Sequence, residues 1–198
     1  MKYFNSLPKI RYVDKNNIST VYTNLMARAS VIPSVLNNSL VYYTYDIQDG
    51  DTPEIIAYKY YGDIDRFWII LYCNQILDPQ WDWPLSSNKL QKYIVNKYGN
   101  TLNNVHHYEK VTTKTNISST SVTTVDTEIL TEDDYDNTLP EDTQTYTVGE
   151  DTVVIKTVKR TVTNYEYEVA QNESRRNIKI LNKMYADSLE AQFLELMK

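Results

Sequence analysis

The residue pattern predicts an α+β protein: a small strand–helix–helix unit with flanking helices, a β-hairpin or small sheet insert, and a long C-terminal helix. Three observations carry this expectation. Tyr42–Ile47 is aromatic and β-branched, and apolar residues at helical spacing follow it. Residues 111–130 and 152–165 are dense in threonine and valine, as strands are. Residues 168–198 carry an apolar stripe with a period near that of a helix. The chain divides accordingly into an N-terminal arm and helix (1–40), the strand–helix–helix unit with a following helix (41–99), a Thr-rich β insert with an acidic loop (100–166) and a C-terminal amphipathic helix (167–198).

Residues 1–12 read as an extended arm, because Pro8 excludes a regular helix across it. From Ile18 to Ile32, Val21, Leu25, Met26, Ala29 and Ile32 fit one helix face, and Pro33 ends that helix. Asn37-Asn38-Ser39 turns the chain into the strand Tyr42–Ile47. After the Asp49-Gly50-Asp51 turn, Thr52 is an N-cap, Pro53 suits the first helical position, and Glu54 complements the dipole. Gly62 ends this helix in the left-handed conformation, and Asp63 caps the next, which runs to about Asn74.

That second helix aligns Ile64, Phe67, Trp68 and Leu71, yet Ile69, Ile70, Tyr72 and Cys73 are apolar too. A helix apolar on most sides is buried on more than one. A unit of about forty residues has too little mass to cover it alone, so flanking helices or another protein must do so. By periodicity alone the run also suits a buried strand. Ser86 or Ser87 caps a third helix over Asn88–Tyr98, which Gly99-Asn100 ends.

In the insert, the two β-rich stretches read as strands, joined by the acidic segment Glu132 to Asp151 with its Pro140 and Gly149. The terminal helix is expected from about Glu168 to Lys198, on the order of 45 Å long. Its stripe is Ile178, Leu181, Tyr185, Leu189, Phe193 and Leu196. Arg175, Arg176, Lys179 and Lys183 precede Asp187, Glu190 and Glu195, an order that opposes the helix dipole.

Composition narrows the function. A net charge of −6 over 198 residues argues against binding nucleic acid through its phosphates. Between Asn116 and Ile155 there are ten acids and no Lys or Arg, which leaves a slight positive balance elsewhere. Such asymmetry steers one subunit onto another, or simply keeps a loop solvated. There are 18 tyrosines against 3 phenylalanines. Tyrosine joins apolar area to a hydroxyl, which suits half-wet interfaces as well as ordinary strands. Cys73 is the single cysteine, so no internal disulfide forms. The N-terminus lacks a signal-peptide apolar region, and the longest apolar run, Phe67–Cys73, falls far short of the ~20 residues a bilayer span requires. Folding in the cytoplasm with no membrane contact is the expectation.

No catalytic or metal constellation is legible. His106 and His107 are the only histidines and stand side by side, and Cys73 lies in an apolar helix without a base. Asp134-Tyr135-Asp136 begins like a calcium loop, but Leu139 occupies the glycine position and Thr145 the position of the final glutamate. Gly50, Gly62, Gly99 and Gly149 are too dispersed to cradle a phosphate. The expectation is a non-enzyme without cofactor.

Asp49-Gly50-Asp51-Thr52, Ile56-Ala57-Tyr58-Lys59-Tyr60, Gly62 and Asn74 resemble the opening elements of a LysM module, a βααβ unit, although its closing strand is not legible after Asn74. The following Trp81-Asp82-Trp83-Pro84-Leu85-Ser86 is similar to a narrower group, the LysM-like baseplate wedge subunits of T-even-type contractile-tailed bacteriophages. Tyr3-Phe4 through Leu7-Pro8, Ile10 and Tyr12 resemble that family's opening, and Asn172-Glu173, Arg176 and Ile178-Lys179-Ile180 its late helix. The match covers roughly residues 1–98 and 165–198. It implies a virion structural subunit, assembled in the host cytoplasm, whose partners are other wedge subunits, the sheath-proximal initiator and the central hub. The residues taken as partner anchors are Trp68, Tyr72, Trp81, Trp83, Tyr185, Leu189 and Phe193, some of which must instead form the chain's own core, a division the sequence does not make. The alternative implied is a LysM module that binds N-acetylglucosamine chains of peptidoglycan or chitin. Its groove would lie between Gln48–Thr52 and Gln75–Trp83, with Trp81 and Trp83 stacking on sugars.

Overall fold

The computed structural model describes residues 3–27, 38–117, 123–148 and 151–197. The chain forms two compact units: Met1–Ser87 together with Asn172–Lys198, and Asn88–Gln171.

The first unit opens with an antiparallel hairpin, β1 (Lys9–Val13) and β2 (Ser19–Thr23), in which Lys9 faces Thr23 and Val13 faces Ser19. The helix expected over Ile18–Ile32 is thus replaced by a strand at Ser19–Thr23, and residues 28–37 lie outside the described ones. The cause is local. Asp14 Oδ1 accepts from the backbone N–H of Asn16 (2.7 Å) and Ile18 (3.0 Å), and Asn17 takes φ 61°, so the chain reverses. Thr20, Val21, Tyr22 and Thr23 then favour the strand.

β3 (Tyr42–Asp46) leads to helix α1 (Pro53–Tyr61). Thr52 caps α1 through a 3.4 Å bond from Ile55 N, and Gly62 closes it at φ 76°. A single 3₁₀ turn, Ile64–Arg66, capped by Asp63, precedes α2 (Phe67–Cys73), and a short α3 spans Pro79–Asp82.

The second unit begins in α4 (Ser87–Tyr98), which buries Leu90 and Ile94. A four-stranded antiparallel sheet follows in the order β5-β4-β7-β6: β4 (Val105–Asn116), β5 (Thr123–Leu130), β6 (Glu141–Val148) and β7 (Asp151–Thr163). Val111 stands between Thr127 and Val158 across this sheet. The acidic segment expected to be a plain connection instead holds helix α5 (Glu132–Asn137) and the edge strand β6. Thr131 caps α5 at 3.2 Å from Asp134 N, and Glu132, Asp133 and Asp134 suit the positive end of its dipole. Helix α6 (Asn164–Ser174) starts on a reciprocal cap: the Thr163 hydroxyl accepts from Glu166 N (3.2 Å), and the Glu166 carboxylate accepts from Thr163 N (2.8 Å).

Back in the first unit, β8 (Asn177–Leu181) pairs antiparallel with β3, Tyr42 facing Leu181 and Asp46 facing Asn177. The last element is α7 (Lys183–Leu196). The α+β class and the C-terminal helix hold. The single helix expected from Glu168 to Lys198 does not: it is interrupted by β8, which includes the Ile178-Lys179-Ile180 read as helical. Burial alternates there, with Ile178, Ile180 and Leu181 inside and Asn177 and Lys179 outside. Several of the charges whose order opposed a helix dipole serve contacts within the fold. Arg176 Nη1 donates to Ile47 O at 3.0 Å, and Arg66 Nη2 binds Asp187 (2.6 Å) and Glu190 (3.0 Å). The core gathers Ile56, Ala57, Ile69, Ile70, Ile178, Ile180 and Phe193, so the doubly apolar α2 is covered by β8 and α7 of its own chain.

Candidate assembly surface

Burial sorts the expected anchors. Trp68 and Phe193 are buried, their ring centroids 5.0 Å apart, and Tyr3 stacks on Phe193 at 5.2 Å. Trp83 is buried as well, its Nε1 donating to Asp51 O at 2.9 Å. These three residues pack the chain's own core. Tyr72 and Leu189 are half-buried against that core, Tyr185 is exposed, and Trp81 is 68% exposed.

Around Trp83 the loops are pinned by hydrogen bonds. The Asp51 carboxylate accepts from Tyr45 OH (2.6 Å), Gln48 N (3.2 Å) and Lys59 Nζ (2.7 Å). Burial works to raise its pKa, but the Lys59, Tyr45 and Gln48 bonds outweigh it and hold the carboxyl below its ordinary range. Asp49 Oδ1 accepts from Ser87 N at 2.9 Å, and the Asn172 side chain pairs with both backbone groups of Leu85 (2.7 and 3.1 Å). Arg175 donates to Trp81 O. The loop segments 48–52 and 75–83 are therefore tied together at Trp83, leaving Trp81 as the outward indole.

Apolar surface that sequence reasoning did not single out lies on the hairpin. Every residue of β1 is exposed, as is all of β2 but Thr23. Ile10, Tyr12, Val13, Ile18, Val21 and Tyr22 are each about half exposed or more. Leu7 is buried at the hairpin base, and Tyr3 and Ala27 pack on the core, so the base is anchored while the strands stay bare. The signal in the sequence is the alternation of Lys9, Ile10, Arg11 and Tyr12, which the extended-arm reading of residues 1–12 does not resolve into a paired strand.

In the second unit a groove of about 560 Å³ is lined by His106, His107, Glu109, Arg160, Glu166 and Tyr167, among others. His106 stacks on Tyr167 at 3.9 Å, while Glu109 binds His107 Nε2 (3.0 Å) and Arg160 Nε (2.7 Å). Glu109, His107 and Arg160 thus bind one another, and the Glu166 carboxylate is taken up by Thr163. Among the described residues no group of three or more His, Cys, Asp or Glu is placed to hold a metal, and no helix is long and apolar enough to cross a membrane.

Comparison with known proteins gives the class first: the phage base plate wedge proteins. The model of the family described as base plate wedge protein 53 matches residues 3–196, and the chain belongs to that family. Over 57 residues it is 33% identical to the baseplate wedge protein gp53 of Enterobacteria phage T4. That stretch covers 29% of this chain and 29% of the relative.

Proposed function

We propose that this chain is a structural subunit of a base plate wedge that joins neighbouring wedge proteins, the sheath-proximal initiator and the central hub through protein–protein contacts. It is taken to assemble in the host cytoplasm and to act in the virion. One observation carries the reading: the β1–β2 hairpin projects bare apolar side chains on both faces from an anchored base. An isolated two-stranded hairpin is marginal in water, so a neighbouring protein is the natural cover. Trp81 and Tyr185 are the outward anchors among the aromatic residues, with the half-buried Tyr72 and Leu189 beside them.

The body beneath is read as LysM-like. This is supported by β3, α1 and α2 in sequence, with β8 as the antiparallel second strand, supplied from the far end of the chain rather than from the segment after Asn74. The burial of Trp83 takes one of the two candidate sugar-stacking indoles out of the groove between 48–52 and 75–83, which favours the assembly role over the carbohydrate one.

Co-expression with the other wedge proteins of the same phage, followed by sedimentation, tests the proposal. Co-sedimentation that is lost in a Tyr12→Ser/Tyr22→Ser variant is expected. Failure to co-sediment, together with saturable binding to purified peptidoglycan that Trp81→Ala abolishes, would transfer the function to sugar recognition.

A further inference from the structure

Of the outer strands among the described residues, β1 and β5 carry complementary side chains. Among the described residues β1 is paired on one side only, by β2, and β5 on one side only, by β4. Side chains alternate along a strand, so β1 presents Lys9, Arg11 and Val13 on one face and Ile10 and Tyr12 on the other. β5 presents Thr124, Asp126, Glu128 and Leu130 on one face and Thr123, Val125, Thr127 and Ile129 on the other. Bases alternate with apolar residues on one edge; on the other, Asp126 and Glu128 alternate with Val125, Thr127 and Ile129. The second outer strand of that sheet, β6, lacks this pattern, because Glu141 and Asp142 are adjacent; Glu141 binds Lys156 at 2.6 Å, whereas Glu128 on β5 meets Lys110 at the longer 3.4 Å.

We infer that β1 of one copy adds antiparallel to the β5 edge of a second copy, with Arg11 opposite Asp126 and Lys9 opposite Glu128. A single register satisfies everything at once. With those two pairs set, Tyr12 falls opposite Val125, and Ile10 falls opposite Thr127 at the end of the row Thr127–Val111–Val158. Antiparallel pairing is used in every sheet among the described residues and is the more stable per residue. The same charges disfavour the alternatives: β5 on β5 sets acids beside acids, and β1 on β1 sets bases beside bases. The contact joins two different surfaces, so it is head-to-tail and either closes into a ring or continues as a chain. The inference rests on the structural reading above and adds a partner to it, a further copy of the same chain.

Two experiments on the full chain test it. In sedimentation velocity, wild type self-associates with rising concentration. Arg11→Glu and Asp126→Arg each weaken association by roughly tenfold, and the doubly reversed Arg11→Glu/Asp126→Arg chain regains it, which also shows that the single variants fold. In the second, Tyr12→Cys and Val125→Cys copies are mixed under mild oxidation, with the buried Cys73 out of reach. Disulfide-linked dimer in excess of either variant alone is expected, and little when Val13→Cys, on the opposite face, replaces Tyr12→Cys. A chain that stays monomeric at every concentration, or cross-linking no better than the Val13→Cys control, overturns the pairing. A monomer that still co-sediments with other wedge proteins overturns this inference alone and leaves the wedge reading intact.

Discussion

The indole Nε1 of Trp83 donates to the backbone carbonyl of Asp51 at 2.9 Å, joining two loops 32 residues apart. Local pattern would place a Trp in Trp-Asp-Trp-Pro at the surface, and Trp81 is there; Trp83 is a buried fastener. Trp83→Phe removes the bond but keeps most of the volume, and should cost about 1–2 kcal/mol. Trp83→Ala adds a cavity and should cost about 3–5 kcal/mol. Urea unfolding checks both, and a loss near zero for the alanine variant would mean that the indole is not packed.

Asp51 gives the first unit an acid limb. Its folded pKa lies below the ordinary value, so the unfolded chain binds the proton more readily. The stability it contributes is complete above the ordinary carboxyl pKa of ~3.9 and is lost as pH falls through the lower folded value. Asp51→Asn should lower stability at neutral pH by about 1–3 kcal/mol and flatten the decline below pH ~4. Thermal melts of both proteins across that range measure it.

Asn74 works as a piece of strand. Its side chain accepts from Lys179 N (2.8 Å) and donates to Lys179 O (2.7 Å) and Ile70 O (2.8 Å), so it ends α2 and holds β8 in one gesture. Asn74→Asp keeps the acceptor and removes both donated bonds. A loss of about 1–3 kcal/mol is expected, with amide exchange at Lys179 accelerated ahead of that in α4.

Cys73 is buried, and burial pushes its thiol pKa up to about 11. A thiol so raised is almost wholly protonated at neutral pH and is a poor nucleophile. Ellman's reagent should therefore fail to modify the folded chain at pH 8 and react fully in guanidinium. Rapid modification of the native protein would contradict the packing of α2 against the core.

Much of this was legible where the signal is local. Thr52, Pro53 and Gly62 bound α1 as their chemistry requires, and Ser87–Tyr98 forms the helix that its apolar spacing announces. Two errors came from patterns that satisfy both periods. Ile178, Leu181, Tyr185 and Leu189 suit a helix stripe, yet Ile178 and Ile180 also alternate, and tertiary pairing with β3 decided for the strand. Val21, Leu25 and Met26 suited a helix too, but the Asp14–Asn17 turn placed β2 against β1. One local signal was overlooked: Thr163 and Glu166 form a capping box that starts α6 several residues before Glu168. The burial of Trp83 and Phe193 was not legible, because their partners, Asp51 and Tyr3, lie far away in sequence.

The most direct test is amide hydrogen exchange across Lys9–Thr23, measured on the isolated chain and again in the assembled base plate. If neighbouring subunits cover the bare hairpin, exchange there should slow by roughly tenfold or more on assembly while the core strands β3 and β8 change little. Equal exchange in both states would contradict the account, because the hairpin would then stand uncovered in the particle as well.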